Sequence, residues 1–320
     1  MIFSFDGNPK DGVKFDDASL AEFVDHIISN GHFIDCTEEW LDHIYRVVME
    51  HGGSNAKKRF EKFMTNSPSG QLRKYLRTIN TGDLDAVRLD RLATLPALVV
   101  LENARFEWPI YRRIIKLAAA ADRTFKDVFN RLADAERNLW IEEHQAGGAG
   151  EVPGEIQRLE ERRYKDIGPY KINALLDRDT DRELNDDGSP LFDKNKNNAF
   201  TFFCGKKHNE ITYDDIYSLP QPSTYTWHMW HKRAVENYLS NDIFQKHRLS
   251  TAKLPATDAE RDYFLINGTS MPGYSKNSLP TFANDLSWKL LNNHCKRFSI
   301  KPNMEVTELQ LLLLKWAGTI

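Results

Sequence analysis

The sequence predicts an α/β protein built on a parallel sheet. Ala97 to Leu101 is an unbroken apolar run, as expected of a strand covered on both faces. A second short run, Asn173 to Leu176, has the same character. The stretches between them carry the three-and-four spacing of helices, and strands that alternate with helices imply parallel pairing.

The first part of the chain, residues 1–95, reads as a helical N-terminal region. Ser19 with Glu22 three positions on makes a capping box, followed by the stripe Leu20, Phe23, Val24, Ile27 and Ile28, which ends near Gly31. A second helix starts at about Thr37, sets Leu41, Ile44, Tyr45 and Val48 on one side, and stops at Gly52 and Gly53. Two shorter basic helices are expected next.

The pattern changes at Pro96, which opens a domain covering 96–320. The run Ala97–Leu101 ends on Glu102. Ile110, Ile114, Ile115 and Leu117 mark a helix, and Thr124 to Leu132 another. Asn138 to His144 fits a second strand before the glycines Gly147, Gly148 and Gly150, and Glu155 to Arg163 is helical. Asn173–Leu176 then ends on Asp177. A polar stretch to Asn198 follows, then the apolar run Phe200 to Phe203. Further on, the pattern predicts a helix from about His231 to Leu239, a loop around Met271–Gly273 and two closing helices, the last from Thr307 to Trp316. These are expected to pack over the sheet.

Sites in such folds collect at the carboxyl ends of the strands. Glu102 and Asp177 would both lie along that edge. Within a strand's extended geometry residues two apart point the same way, so Asp177 and Asp179 can address one space at its end. Close carboxylates repel each other unless a cation compensates. Mg²⁺ or Mn²⁺ is the natural choice, a hard ion that carboxylates share with water and phosphate.

The order "strand, Glu102, helix; strand, glycine turn; strand, Asp177-x-Asp179" resembles the TOPRIM domain of topoisomerases, primases and overcoming-lysogenization-defect (OLD) nucleases. Lys232-Arg233-Ala234-Val235-Glu236-Asn237-Tyr238-Leu239 is similar to the R-x-I-E-N-Y-L segment of OLD-like nucleases and related phage-defence effectors. The resemblance covers residues 97–320. It implies a TOPRIM (Rossmann-like) parallel sheet with helices on both faces and a metal-dependent nuclease with Glu102, Asp177, Asp179 and Glu236 as ligands of one or two ions. It also implies a lysine acting on developing charge, best matched by Lys289, with Lys276 as rival. Asn103 stands where the family usually has glycine, and Glu107 is shifted by one from the commonest place of a second acid. Read without its neighbours, Glu236 is a surface carboxylate paired with Lys232 one helical turn away.

The net charge of −3 does not advertise a nucleic-acid binder, so local clusters have to supply phosphate contacts. Lys57, Lys58, Arg59, Arg73, Lys74 and Arg77 face few acids and form the candidate surface for DNA or RNA. No stretch approaches the ~18 apolar residues of a membrane span, and the expected address is the cytoplasm. Three scattered cysteines suggest neither disulfides nor zinc. Gly268 to Gly273 lacks the lysine of a phosphate-binding loop, since Tyr274 stands in its place. A nuclease of this kind would therefore act alone or with a separate ATPase subunit. A homo-oligomer is compatible with the sequence, which does not determine assembly. By resemblance the setting is prokaryotic antiphage defence. The alternatives are a primase-like nucleotidyl transferase on the same core and a non-catalytic TOPRIM scaffold.

Overall fold

The computed structural model describes residues 1–9, 14–65, 69–221, 224–301 and 304–320. Its elements of the N-terminal part are β1 (Ile2–Phe5), α1 (Asp17–Ser29), β2 (Phe33–Cys36), α2 (Glu38–His51), α3 (Ser54–Met64), β3 (Thr78–Asn80) and α4 (Ala86–Thr94). The three strands form a parallel sheet in the order β2-β1-β3. The N-terminal region is therefore α/β, where the sequence suggested helices alone. Strands of three or four residues give a period-two pattern too little length to register. Helix α1 begins earlier than its apparent capping box, because Asp16 accepts the Ser19 N–H at 2.7 Å.

The second part continues with β4 (Ala97–Leu101), α5 (Ala104–Ala121), α6 (Lys126–Arg137), β5 (Ile141–Gln145), α7 (Val152–Arg162) and β6 (Ile172–Leu176). After them come α8 (Asn197–Cys204), β7 (Thr226–Met229), the hairpin of β8 (Arg297–Lys301) and β9 (Met304–Thr307), and α9 (Glu308–Ala317). Strands β5-β4-β6-β7 form a parallel sheet in that order. The two central strands, β4 and β6, are buried throughout, which explains their continuous apolar runs. Edge strand β5 alternates after the buried Ile141, with Glu142 and His144 half-buried and Glu143 and Gln145 exposed.

Pairing of Leu101 with both Gln145 and Leu175 brings the carboxyl ends of β5, β4 and β6 level. Helix α9 is apolar on nearly all sides and buried along its length, as such a helix must be. Its Lys315 ammonium donates to the carbonyls of Ile216 and Trp227 in the interior. One hydrophobic core runs through both sheets. Among the described residues no helix is long and apolar enough to cross a membrane.

The expected helix from His231 to Leu239 is instead a bent segment with one short 3₁₀ turn at Val235–Tyr238. The Arg233 carbonyl, which a helix would need for itself, receives the N–H groups of Arg178 and Asp179 at 2.8 and 3.1 Å. Asn237 closes the turn by accepting the Ala234 N–H and donating to the carbonyls of Arg261 and Phe264. The neighbouring loop thus outcompetes local helix propensity.

Candidate functional site: buried carboxylates and two lysines

Four acids gather at the carboxyl edge of the second sheet. Glu102 follows β4, and its Oε1 accepts the Asp177 N–H at 2.9 Å, tying the ends of β4 and β6 together. Glu107 lies one turn into α5. Helical side chains lean towards their own N-terminus, which brings Glu107 back over Glu102. Asp177 closes β6. Glu236 comes from the 3₁₀ turn, where its Oε1 accepts the Tyr274 hydroxyl at 2.8 Å. All four are buried. Lys232 pairs with Asp262 instead of Glu236, so Glu236 is no surface carboxylate.

Arg178 turns away from the acids and stitches the following loop. Its guanidinium donates to the carbonyls of Leu191, His231 and Glu183, and lies 4.8 Å from the centre of the Phe192 ring. Asp179 adopts φ +58°, a left-handed conformation that ends the strand geometry. Its carboxylate therefore does not extend the row begun by Asp177 and is reached by a separate contact.

Two lysines compensate the acids. Lys196 Nζ sits 3.0 Å from Glu102 Oε1 and 2.8 Å from Asp179 Oδ2, and its side chain is only 2% exposed. Lys276 Nζ lies 3.4 Å from Asp177 Oδ2 and 3.7 Å from Glu107 Oε1, with its side chain 38% exposed. Burial pushes the Glu107 carboxyl up to about 7, against the pull of Lys276 and with repulsion from Glu236 and Glu102 adding to the rise. Burial, then Glu102 and Glu107, hold Asp177 well above the ordinary carboxylate range. For both lysines burial works in the opposite direction, but the surrounding carboxylates raise the ammonium, Asp177 foremost for Lys276 and Glu102 for Lys196. The floor beneath is aromatic, with Tyr111 stacked on Trp230 at 6.0 Å.

Comparison with models of protein families, with curated proteins and with solved structures finds no match.

A metal ion is what such a donor set suggests, and the chemistry fits: the donors are hard carboxylate oxygens, and Glu236 Oε2 and Glu107 Oε1 are buried with no hydrogen bond. The side chains are arranged around ammonium groups. Among the described residues no three His, Cys, Asp or Glu are gathered as an ion would hold them.

Beside Asp179 opens a polar cleft of about 560 Å³, lined by Asp181, Asp193, Lys194, His208 and Arg233 among others. It reaches Asp179, on the side of Lys196, and is not lined by Glu102, Glu107, Asp177 or Glu236.

Other expected site residues lie elsewhere. Lys289 is exposed on the short helix Trp288–Asn293 and makes none of the contacts that join Lys196 and Lys276 to the acids. Of the basic stretch, Lys58 and Lys74 are exposed and Lys57 is half-buried. Arg59 is held by Asp25 at 2.8 and 2.6 Å, and Arg73 lies 3.3 Å from Asp35. Arg77 leaves the patch altogether. It is buried, and its guanidinium donates to the carbonyls of Pro169 and Thr224 and to the Thr226 hydroxyl, joining the two halves of the chain. His228 and His231, on either side of Met229-Trp230, are internal, with His228 against Glu308 and His231 against Glu183.

Glu107 was legible as an acid in the first turn of a helix, but its spacing from Glu102 argued against it. Lys196 carried no sequence signal, standing in the polar run DKNKNN.

Proposed function

We propose that the chain is a metal-dependent nuclease that hydrolyses phosphodiester bonds of DNA or RNA on a TOPRIM-like core. The observation that carries this reading is the cluster of Glu102, Glu107, Asp177 and Glu236, four buried carboxylates at the carboxyl edge of a parallel sheet with Lys276 among them. Lys276 and Lys196 offset part of this negative charge, and the buried charge left over lowers stability, so the cluster argues for a further cation as part of the working site.

Asp177, Glu107 and Glu236, assisted by Glu102, would hold Mg²⁺ or Mn²⁺, which when bound supplies positive charge to a phosphoryl group. The protein's own groups account for the remainder. Lys276 is half-exposed and can leave its carboxylates to meet the charge developing on a phosphate oxygen. Lys194 and Arg233 in the adjoining cleft supply cations for a backbone phosphate. Asn237 and Arg178 fix the loops that carry Glu236 and Asp179. Lys58 and Lys74 are the exposed cations of the N-terminal half for a longer nucleic acid. A role in antiphage defence and a separate ATPase subunit stand on the resemblance of the R-x-I-E-N-Y-L segment.

The decisive assay incubates the protein with single- and double-stranded DNA and RNA in Mn²⁺ or Mg²⁺, beside a dinucleotide-synthesis assay for a primase-like transferase. Cleavage that is lost in Asp177→Asn and Glu107→Gln, with circular dichroism unchanged, supports the nuclease. Cleavage unaffected by both substitutions refutes it. A non-catalytic scaffold has one observation in its favour, namely that Lys196 and Lys276 already neutralise several of the acids. It predicts no turnover with any substrate and a cellular effect that survives both substitutions.

A further inference from the structure

The two lysines differ in a way that bears on how many ions the centre takes. Lys276 reaches its acids at 3.4 and 3.7 Å from a side chain that is 38% exposed. Moving it into solvent costs little, because a lysine head is readily hydrated and its stem flexible. Lys196 is 2% exposed and touches Glu102 and Asp179 at 3.0 and 2.8 Å. It ends the 3₁₀ turn Lys194–Lys196, which Asp193 caps by accepting the Asn195 N–H at 2.9 Å, and it leads directly into α8. Withdrawing it would leave the buried Glu102 without its cation, beside an Asp179 whose side chain is 39% exposed, and disturb a rooted turn.

The unsatisfied oxygens also lie on one side. Glu236 Oε2 and Glu107 Oε1 lack hydrogen bonds, whereas Glu102 Oε1 is doubly engaged, by the Asp177 N–H and by Lys196. The oxygens without a hydrogen bond belong to the Asp177–Glu107–Glu236 side, whose cation is the partly exposed Lys276, whereas the Glu102–Asp179 side contains the buried Lys196.

We infer that Lys196 is a built-in cation standing in the place of a second divalent ion, so that the centre binds a single ion on the side of Asp177, Glu107 and Glu236. This inference rests on the metal-dependent reading above. Lys196 acts as a positioning residue that fixes Glu102 and Asp179, and Asp179 is not a ligand of the ion.

The test is Mn²⁺ binding by the intact chain, followed by calorimetry and by the electron paramagnetic resonance signal of free Mn²⁺. The expected result is one ion per chain in the wild type and in Lys196→Arg, and two in Lys196→Met, where the freed carboxylates accept another. Two ions in the wild type, or one in a folded Lys196→Met, would overturn the inference. Asp179→Asn keeps the test decisive should the methionine variant fail to fold. It is expected to retain one ion with affinity within about 3-fold of wild type, while Asp177→Asn loses at least about 10-fold, the scale seen when ligands or their immediate supports are removed. Equal losses in both variants overturn the placement. If the wild type binds no Mn²⁺, the metal-dependent reading itself fails, an outcome distinct from a wrong count.

Discussion

Glu107→Gln removes a carboxyl that the fold holds under electrostatic stress. The rise from an ordinary 4.5 to about 7 corresponds to about 3 kcal/mol, at about 1.4 kcal/mol for each pH unit. The sign follows from proton counting. Below pH 4.5 both folded and unfolded chains carry the proton, and the residue has no effect on stability. Between 4.5 and about 7 the folded state alone retains it, so the unfolded state binds fewer protons and stability falls as pH rises. Above about 7 the cost is complete. The glutamine keeps the shape without the charge, and it also gives up the 3.7 Å contact with Lys276. The net expectation is a variant more stable than wild type by roughly 2–3 kcal/mol at pH 8 and nearly equal to it at pH 4.5. Urea denaturation at both pH values, without divalent ions, measures this directly. A variant no more stable at pH 8, or one whose advantage is the same at both pH values, refutes the argument that Glu107 is a stressed member of a carboxylate cluster. Added Mg²⁺ should then stabilise wild type more than the glutamine variant, because binding to the folded state alone adds stability by mass action.

Further outcomes follow from the same geometry. Arg178→Met takes the guanidinium donor from the carbonyls of Leu191, His231 and Glu183, the last of which keeps the Leu191 N–H; a loss of about 3–5 kcal/mol in denaturation is expected, with faster proteolysis in residues 180–193, and a loss under 1 kcal/mol would count against it. Arg77→Ala should cost about 2–4 kcal/mol because it unlinks β7 from the N-terminal half, whereas Lys74→Ala should leave stability within about 0.5 kcal/mol and weaken nucleic-acid binding more as salt falls. An Arg77→Ala protein as stable as wild type would restore that residue to the surface patch. Lys289→Ala is expected to match wild type in stability and in Mn²⁺-dependent cleavage, whereas Lys276→Ala should lower cleavage by about 100-fold or more if it meets charge on phosphate; the reverse ranking in a cleavage assay would return the role to Lys289.

The central part of the fold was legible because burial on both faces leaves a plain mark. Ala97–Leu101 and Asn173–Leu176 are strands, the stretches between them are helices and the strand β5, and α9 begins where Thr307 caps it, accepting the Gln310 N–H at 3.3 Å. The N-terminal strands were missed because four residues cannot display a period. The His231–Leu239 segment was misjudged because its backbone is claimed by a loop distant in sequence. In the site, Glu102 and Asp177 follow from strand ends alone. The row of Asp177 and Asp179 does not survive the left-handed turn at Asp179.

What the sequence by itself determined is the alternation of elements and the acids that close β4 and β6, both consequences of local pattern. The tertiary structure alone decided that Glu107 joins them, that Lys276 rather than Lys289 stands among them, and that Lys196 is locked between Glu102 and Asp179. Such choices depend on which side chains meet across 94 residues in one case and 99 in another. No periodicity encodes a meeting at that range, because it is set by how the loops beyond the sheet pack.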